Sequence, residues 1–159
     1  MSLIRKFIFS LIFIVPISFI TNANESVILT IHSSALNFPL KLTYQDLNKL
    51  PKSKIKTNTP WTDISDFEGV SIKDLFNHYQ IPLQDMELTA LNNYIIEVPK
   101  EDVDSYSPII AFHHNGQKMK IRDFGPLWLV YPLDDHHELW SKKHYSKMIW
   151  QLNKINLMP

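Results

Sequence analysis

The stretch from Gly125 to Pro132, GPLWLVYP, constrains the fold more than any other. It carries no charge and is apolar along its length, and a proline stands near each end to stop a helix from running through it. A short, continuous apolar run of this kind reads as a fully buried strand. The charged residues Arg122 and Asp123 stand directly before it, so a polar entrance leads straight into the core. That juxtaposition makes the entrance a candidate binding site as well as a strand boundary.

The remaining elements can be placed around this strand. SVILTIH alternates as a strand with Val27, Leu29 and Ile31 on one face. Thr43 followed by Asp46 predicts a capped short helix that Pro51 ends. SKIKTNTPW runs extended into Trp61, because Pro60 disfavours a helical Thr59. Gly69 predicts a turn, and Ser71 with Asp74 starts a helix bearing Ile72, Leu75, Phe76 and Tyr79. MELTAL and YIIEV read as strands flanking Asn92-Asn93, which tolerates left-handed geometry. PKEDVDSY predicts one helical turn. PIIAFHHNGQKMKI predicts a hairpin with Asn115-Gly116 at its tip. DDHHELWSKKHYSK is a polar excursion, and MIWQLNKINL closes the chain as a strand with a bulge. Strands outnumber short, segregated helices, so the fold class is α+β, a mixed β-sheet core with short helices.

The N-terminus is read separately. Residues 1–23 have a basic start (Arg5, Lys6), an apolar stretch from Phe7 to Ile20 and a small-residue exit at Thr21-Asn22-Ala23. This is the design of a cleavable signal peptide, with an uncleaved anchor as the alternative. Residues 24–159 then form a single exported domain, expected in the periplasm. The chain has no cysteine, which removes thiolate nucleophiles, disulfides and thiolate metal ligands. Lys plus Arg equals Asp plus Glu at 16 each, so the charge balance does not point to nucleic acid. Three glycines leave no phosphate-cradling loop.

Most chemical motifs have an ordinary explanation. The pairs His113-His114 and His136-His137 are simplest as surface histidines. Adjacent strand residues point to opposite faces, so His113 and His114 cannot easily ligate one metal together. A copper or zinc site using one member of each pair stays open. Asp134-Asp135 and Glu101-Asp102 read as caps or exposed faces, and no G-x-S-x-G elbow occurs. Four features ask for more: Trp61 between Pro60 and Thr62, the turn Asn92-Asn93-Tyr94, Arg122-Asp123, and Trp128. Together they supply what a planar heteroaromatic ligand needs, rings to stack on and polar groups to read an edge.

The ordered motifs TPWTD, FEGVSIKDLF, LTALNNYIIEVP, RDFGPLWLVYP and WQLNKI resemble the molybdopterin-binding domain of the sulfite-oxidase-like family, from about Leu29 to Leu157. Its Gly-Val-x-Leu-x-x-Leu helix start matches Gly69-Val70 with Ile72 and Leu75. Its Ala-x-Asp-Gly-Tyr turn matches Ala90 to Tyr94, and its Gly-Pro strand matches Gly125 to Pro132. The chain departs where catalytic members carry a molybdenum-ligating cysteine, near Thr59-Pro60-Trp61-Thr62. An arginine common in the Gly-Pro strand is replaced by Trp128, and the Asp-Gly of the turn by Asn92-Asn93.

The resemblance is to the small, exported, cysteine-free branch, and it implies a periplasmic protein that binds a pterin, reduced or molybdopterin-like, without molybdenum and without catalysis. It implies a membrane partner of the GGDEF/EAL type, which makes or degrades cyclic di-GMP. The implied ligand-binding residues are Trp61, Thr62, Asn93, Tyr94, Arg122, Asp123 and Trp128. Asp123 would meet the amino-pyrimidine edge, with Trp61 and Trp128 as stacking surfaces. A molybdopterin-dependent oxidoreductase with unusual ligation and a histidine metal module are the alternatives.

Overall fold

The computed structural model describes residues 25–158, and the segment 1–23 read as an export signal lies outside them. In chain order the strands begin with β1 (Val27–His32), β2 (Leu40–Thr43), β3 (Ser53–Thr59), β4 (Thr62–Ser71) and β5 (Met86–Ala90). They continue with β6 (Ile95–Val98), β7 (Ile109–His114), β8 (Gln117–Lys118), β9 (Trp128–Val130) and β10 (Leu152–Leu157). The helices are α1 (Tyr44–Lys49), α2 (Ile72–His78), α3 (Lys100–Tyr106) and α4 (Lys142–Tyr145). The strands form two sheets, one in the order β2-β1-β10-β5-β6 and one in the order β3-β4-β7-β8, with β9 also paired to β7. This is the expected α+β class.

Local chemistry sets the helix starts. Thr43 and Asp46 form a reciprocal capping box before α1, and the Ser71 hydroxyl accepts from the Asp74 N–H before α2. Ile72, Leu75 and Phe76 face the core with almost no exposure. One hydrophobic cluster draws Leu29, Ile31, Leu88 and Ile155 from the first sheet and Phe67, Ile110, Phe112 and Leu129 from the second.

The buried run is the joint between the sheets. Leu127 through Tyr131 have no exposed surface. On one edge β9 pairs with β7 from Ala111↔Trp128 to Ile109↔Val130. On the other edge it meets the chain entering β10: Leu129 N–H donates to Ile149 O at 2.9 Å, and Leu152 N–H donates to Leu127 O at 3.0 Å. That entering segment leaves the second sheet and becomes β10 of the first, with the expected bulge between Leu152 and Lys154.

Two local expectations, for Gly69 and for PKEDVDSY, are corrected, and the strand after Trp61 has no local signal of its own. Gly69 is no turn residue. It lies inside β4 opposite Ala111, where a Cβ would fall 2.0 Å from the Ile110 carbonyl oxygen, so glycine is required by close backbone approach. The polar stretch after Trp61 is the first half of the long strand β4, paired along β3 rather than held by its own apolar pattern. PKEDVDSY is longer than one turn and forms α3. The Asn115-Gly116 hairpin is as expected, both residues having positive φ of 49° and 76°.

Candidate ligand site

A cavity of about 260 Å³ opens where the β3–β4 hairpin tip, the β5–β6 turn and the segment after α4 meet. Trp61 and Trp150 form one side of it, and Asn92 and Tyr94 another. Tyr145, Ser146, Met148 and Ile149 close the rest.

Each wall has a local cause. The Thr59 hydroxyl accepts from the N–H groups of Trp61 at 3.1 Å and Thr62 at 3.0 Å, and it lies 2.9 Å from the Thr62 hydroxyl. This threonine clasp fixes the hairpin tip and presents the Trp61 ring, which meets Trp150 edge-on at 4.8 Å. On the facing side, Asn93 turns the chain with φ 64° and the Asn92 side chain accepts from the Tyr94 N–H at 3.0 Å. The Tyr94 hydroxyl then donates to the Ser146 carbonyl at 3.3 Å, tying the β5–β6 turn to the end of α4.

Beneath the cavity lies an aromatic floor. Trp128 is fully buried and donates its Nε1–H to the Met148 carbonyl at 3.0 Å. Phe124 stacks on it at 4.6 Å, and Phe67 and Trp61 meet it at 5.2 and 6.0 Å. A buried indole with its donor satisfied is a rigid support.

The sequence-predicted residues therefore separate. Trp61 and Tyr94 line the cavity. Trp128 supports it from below and offers no surface to a ligand. Thr62 serves the clasp, and Asn93 serves the turn whose neighbour Asn92 reaches the cavity. Arg122 and Asp123 stand on an exposed 3-10 turn, Ile121–Asp123, with side chains 77% and 61% exposed and a loose contact of 3.5 Å. That turn is held beside Trp150 by Gln151, whose side chain donates to Ile121 O at 2.9 Å, but neither charge lines the cavity. Sequence reasoning missed Trp150, Tyr145 and Ser146. The pattern MIWQLNKINL puts Trp150 in the closing strand, whereas in the fold it bridges to Trp128 and precedes that strand.

Behind the same wall lies a polar knot. Lys147 sits between the lining residues Ser146 and Met148 but points the other way, to within 2.6 Å of Asp102 on α3. Tyr131 donates to the same carboxylate oxygen at 2.9 Å. Asp102, expected as a cap or exposed acid, is instead buried and paired. Burial, with Asp102 nearby, holds the Tyr131 hydroxyl far above its ordinary range, so it remains a neutral donor. Burial, reinforced by the Lys147 charge, pushes the His144 imidazole below its usual value.

The histidine pairs lie in separate surroundings. His113 shares a 2.9 Å hydrogen bond with the Tyr44 hydroxyl, His114 stacks on Phe67, and His136 packs on Tyr106. Among the described residues no three His, Asp or Glu side chains converge as metal ligands. At the hairpin tip the hydroxyls of Thr59 and Thr62 are committed to each other and to backbone N–H groups. These donors do not fit a thiolate-held molybdenum.

No protein-family model matches the chain, and no curated protein does. Solved structures do. The sulfane dehydrogenase SoxCD from Paracoccus pantotrophus matches with a TM-score of 0.61 at 16% sequence identity, over 81% of this chain. The match spans 37% of that chain. The architecture is the sulfite-oxidase-like α+β fold, and at this identity the likeness is one of fold.

Proposed function

We propose that the protein is a non-catalytic, periplasmic pterin-binding protein and that the Trp61–Trp150 cavity takes the flat bicyclic ring. The carrying observation is the pair of indoles at right angles, set on the rigid Trp128 floor and faced by Asn92 and Tyr94. Aromatic walls with a few polar groups are what a planar heteroaromatic ligand requires. The size supports a bare pterin over a tailed cofactor. About 260 Å³ lies just below the roughly 300–1,000 Å³ of pockets that enclose larger ligands. A chain without cysteine has no thiolate for molybdenum, which favours binding over oxidoreductase chemistry.

In this reading Trp61, Trp150 and Tyr94 contact the ring. Arg122 and Asp123 act at its outer edge, where a ligand protruding past Trp150 would meet them. Ligand state would pass to a membrane protein that makes or degrades cyclic di-GMP. The test is titration of the mature protein with a tetrahydropterin, followed by tryptophan fluorescence. Saturable one-to-one quenching in the wild type that weakens about ten-fold or more in Trp61→Ala is expected, since a stacked ring is worth about 1–3 kcal/mol. Absence of saturable binding overturns the proposal.

A further inference from the structure

We infer that β6 is a docking edge that accepts an extended segment of another protein carrying a basic residue opposite Glu97 and an apolar residue opposite Ile95. The inference does not depend on the pterin reading. Among the described residues β6 pairs with β5 alone and ends the first sheet. The Ala90 N–H donates to Tyr94 O at 2.9 Å, so Tyr94, Ile96 and Val98 direct their backbone groups at β5. By the same alternation, Ile95 and Glu97 direct their N–H and C=O groups outward. That is a ready template for one more strand.

The other edges are defended. The edge strand β3 carries exposed Lys54 and Lys56, and the edge strand β2 carries exposed Lys41. Lysines on an edge discourage pairing. β8 is only two residues long, and the free edge of β9 is covered by the segment entering β10. On β6 the exposed side chains are instead Ile95, at 51% exposure, and Glu97.

Charge identifies the occupant. Glu97 lies directly opposite Glu87 in the β5–β6 register, and like charges placed so repel. Glu87 receives a hydrogen bond from Asn156 at 3.1 Å, whereas no cation among the described residues pairs with Glu97. A Lys or Arg on an added strand would relieve that repulsion, and a β-branched residue two positions along would cover Ile95. A second copy of β6 cannot do this, because Ile95-Ile96-Glu97-Val98 contains no basic residue. The edge begins beside Tyr94, so an added strand would lie at the cavity mouth.

The test uses the mature protein and two peptides, acetyl-Thr-Lys-Thr-Val-Thr-amide and the same peptide with Glu in place of Lys. Amide hydrogen exchange is read residue by residue by NMR. Addition of the Lys peptide should slow exchange at Ile95 and Glu97 while leaving β3 amides unchanged. Glu97→Lys should weaken the Lys peptide about five-fold, as opposite and like cross-strand charges exchange, and should strengthen the Glu peptide. No protection of these two amides up to the peptide's solubility limit would overturn the inference. So would protection indifferent to peptide charge, or protection that accompanies self-association of the protein.

Discussion

The chain segment from Ser146 to Trp150 has two sides, and they are built on opposite principles. One side, with Ser146, Met148 and Trp150, lines an open aromatic cavity. The other presents Lys147 to a buried carboxylate that also accepts from Tyr131. The polar side is closed, with every strong group paired. The aromatic side is only partly filled, and Trp61 remains 39% exposed above it. The contrast separates two jobs: the ion pair fixes where the wall stands, and the rings leave room for something to bind.

The largest way to break this contrast is through the knot. Lys147→Met leaves the Asp102 carboxylate buried with its cation gone, which costs about 3–5 kcal/mol. That is a large share of the total for a domain whose stability is about 5–15 kcal/mol. Urea denaturation measures it. The double substitution Lys147→Met with Asp102→Leu should recover part of the loss. The remainder is the Tyr131 hydroxyl left without an acceptor, about 1–3 kcal/mol.

Next comes the backbone packing that carries both sides. Gly69→Ala forces a methyl into the Ile110 carbonyl of the neighbouring strand, and overpacking of this kind costs about 1–3 kcal/mol. Thermal unfolding should register it while the cavity residues remain intact. Trp61→Ala should do the reverse. Its half-exposed ring contributes modestly to stability, so the unfolding midpoint should move little while ligand affinity falls.

The smallest expected effect is on pH. His114 and His144 are both held below the ordinary histidine value of 6.5, chiefly by burial. The unfolded chain therefore takes up protons first as pH falls, and stability rises with pH where that difference exists. The contribution is complete above 6.5 and is lost as the pH falls through the lowered native values. Urea midpoints measured from about pH 7.5 to about pH 5 should decline. His114→Phe, which can keep the stacking on Phe67, should flatten part of the slope.

How far the sequence could be read follows the same division. The capped helices, the Asn115-Gly116 hairpin and the buried Gly125–Pro132 run were legible because their signals are local. Gly69 was misread because its constraint comes from a neighbouring strand, Ile110 and Ala111, which no local pattern announces. Trp61 and Tyr94, which line the cavity, stand out in the sequence because each lies in a polar turn where an aromatic ring needs a partner. Trp150 and Lys147 do not. Both belong to the segment joining the sheets, whose two sides become distinct only when Asp102, more than forty residues earlier, is folded against it. Asp123 stands directly before the buried run in sequence, but the exposed 3-10 turn Ile121–Asp123 keeps its charge on the surface.

Under the proposed function, the open aromatic side binds a flat heterobicycle. The most direct measurement is calorimetric titration of the mature wild-type protein and Trp61→Ala with a tetrahydropterin. One-to-one binding in the wild type, about ten-fold or more weaker in Trp61→Ala with little change in the unfolding midpoint, is the predicted result. Equal affinity in both proteins, or no binding to either, would contradict it.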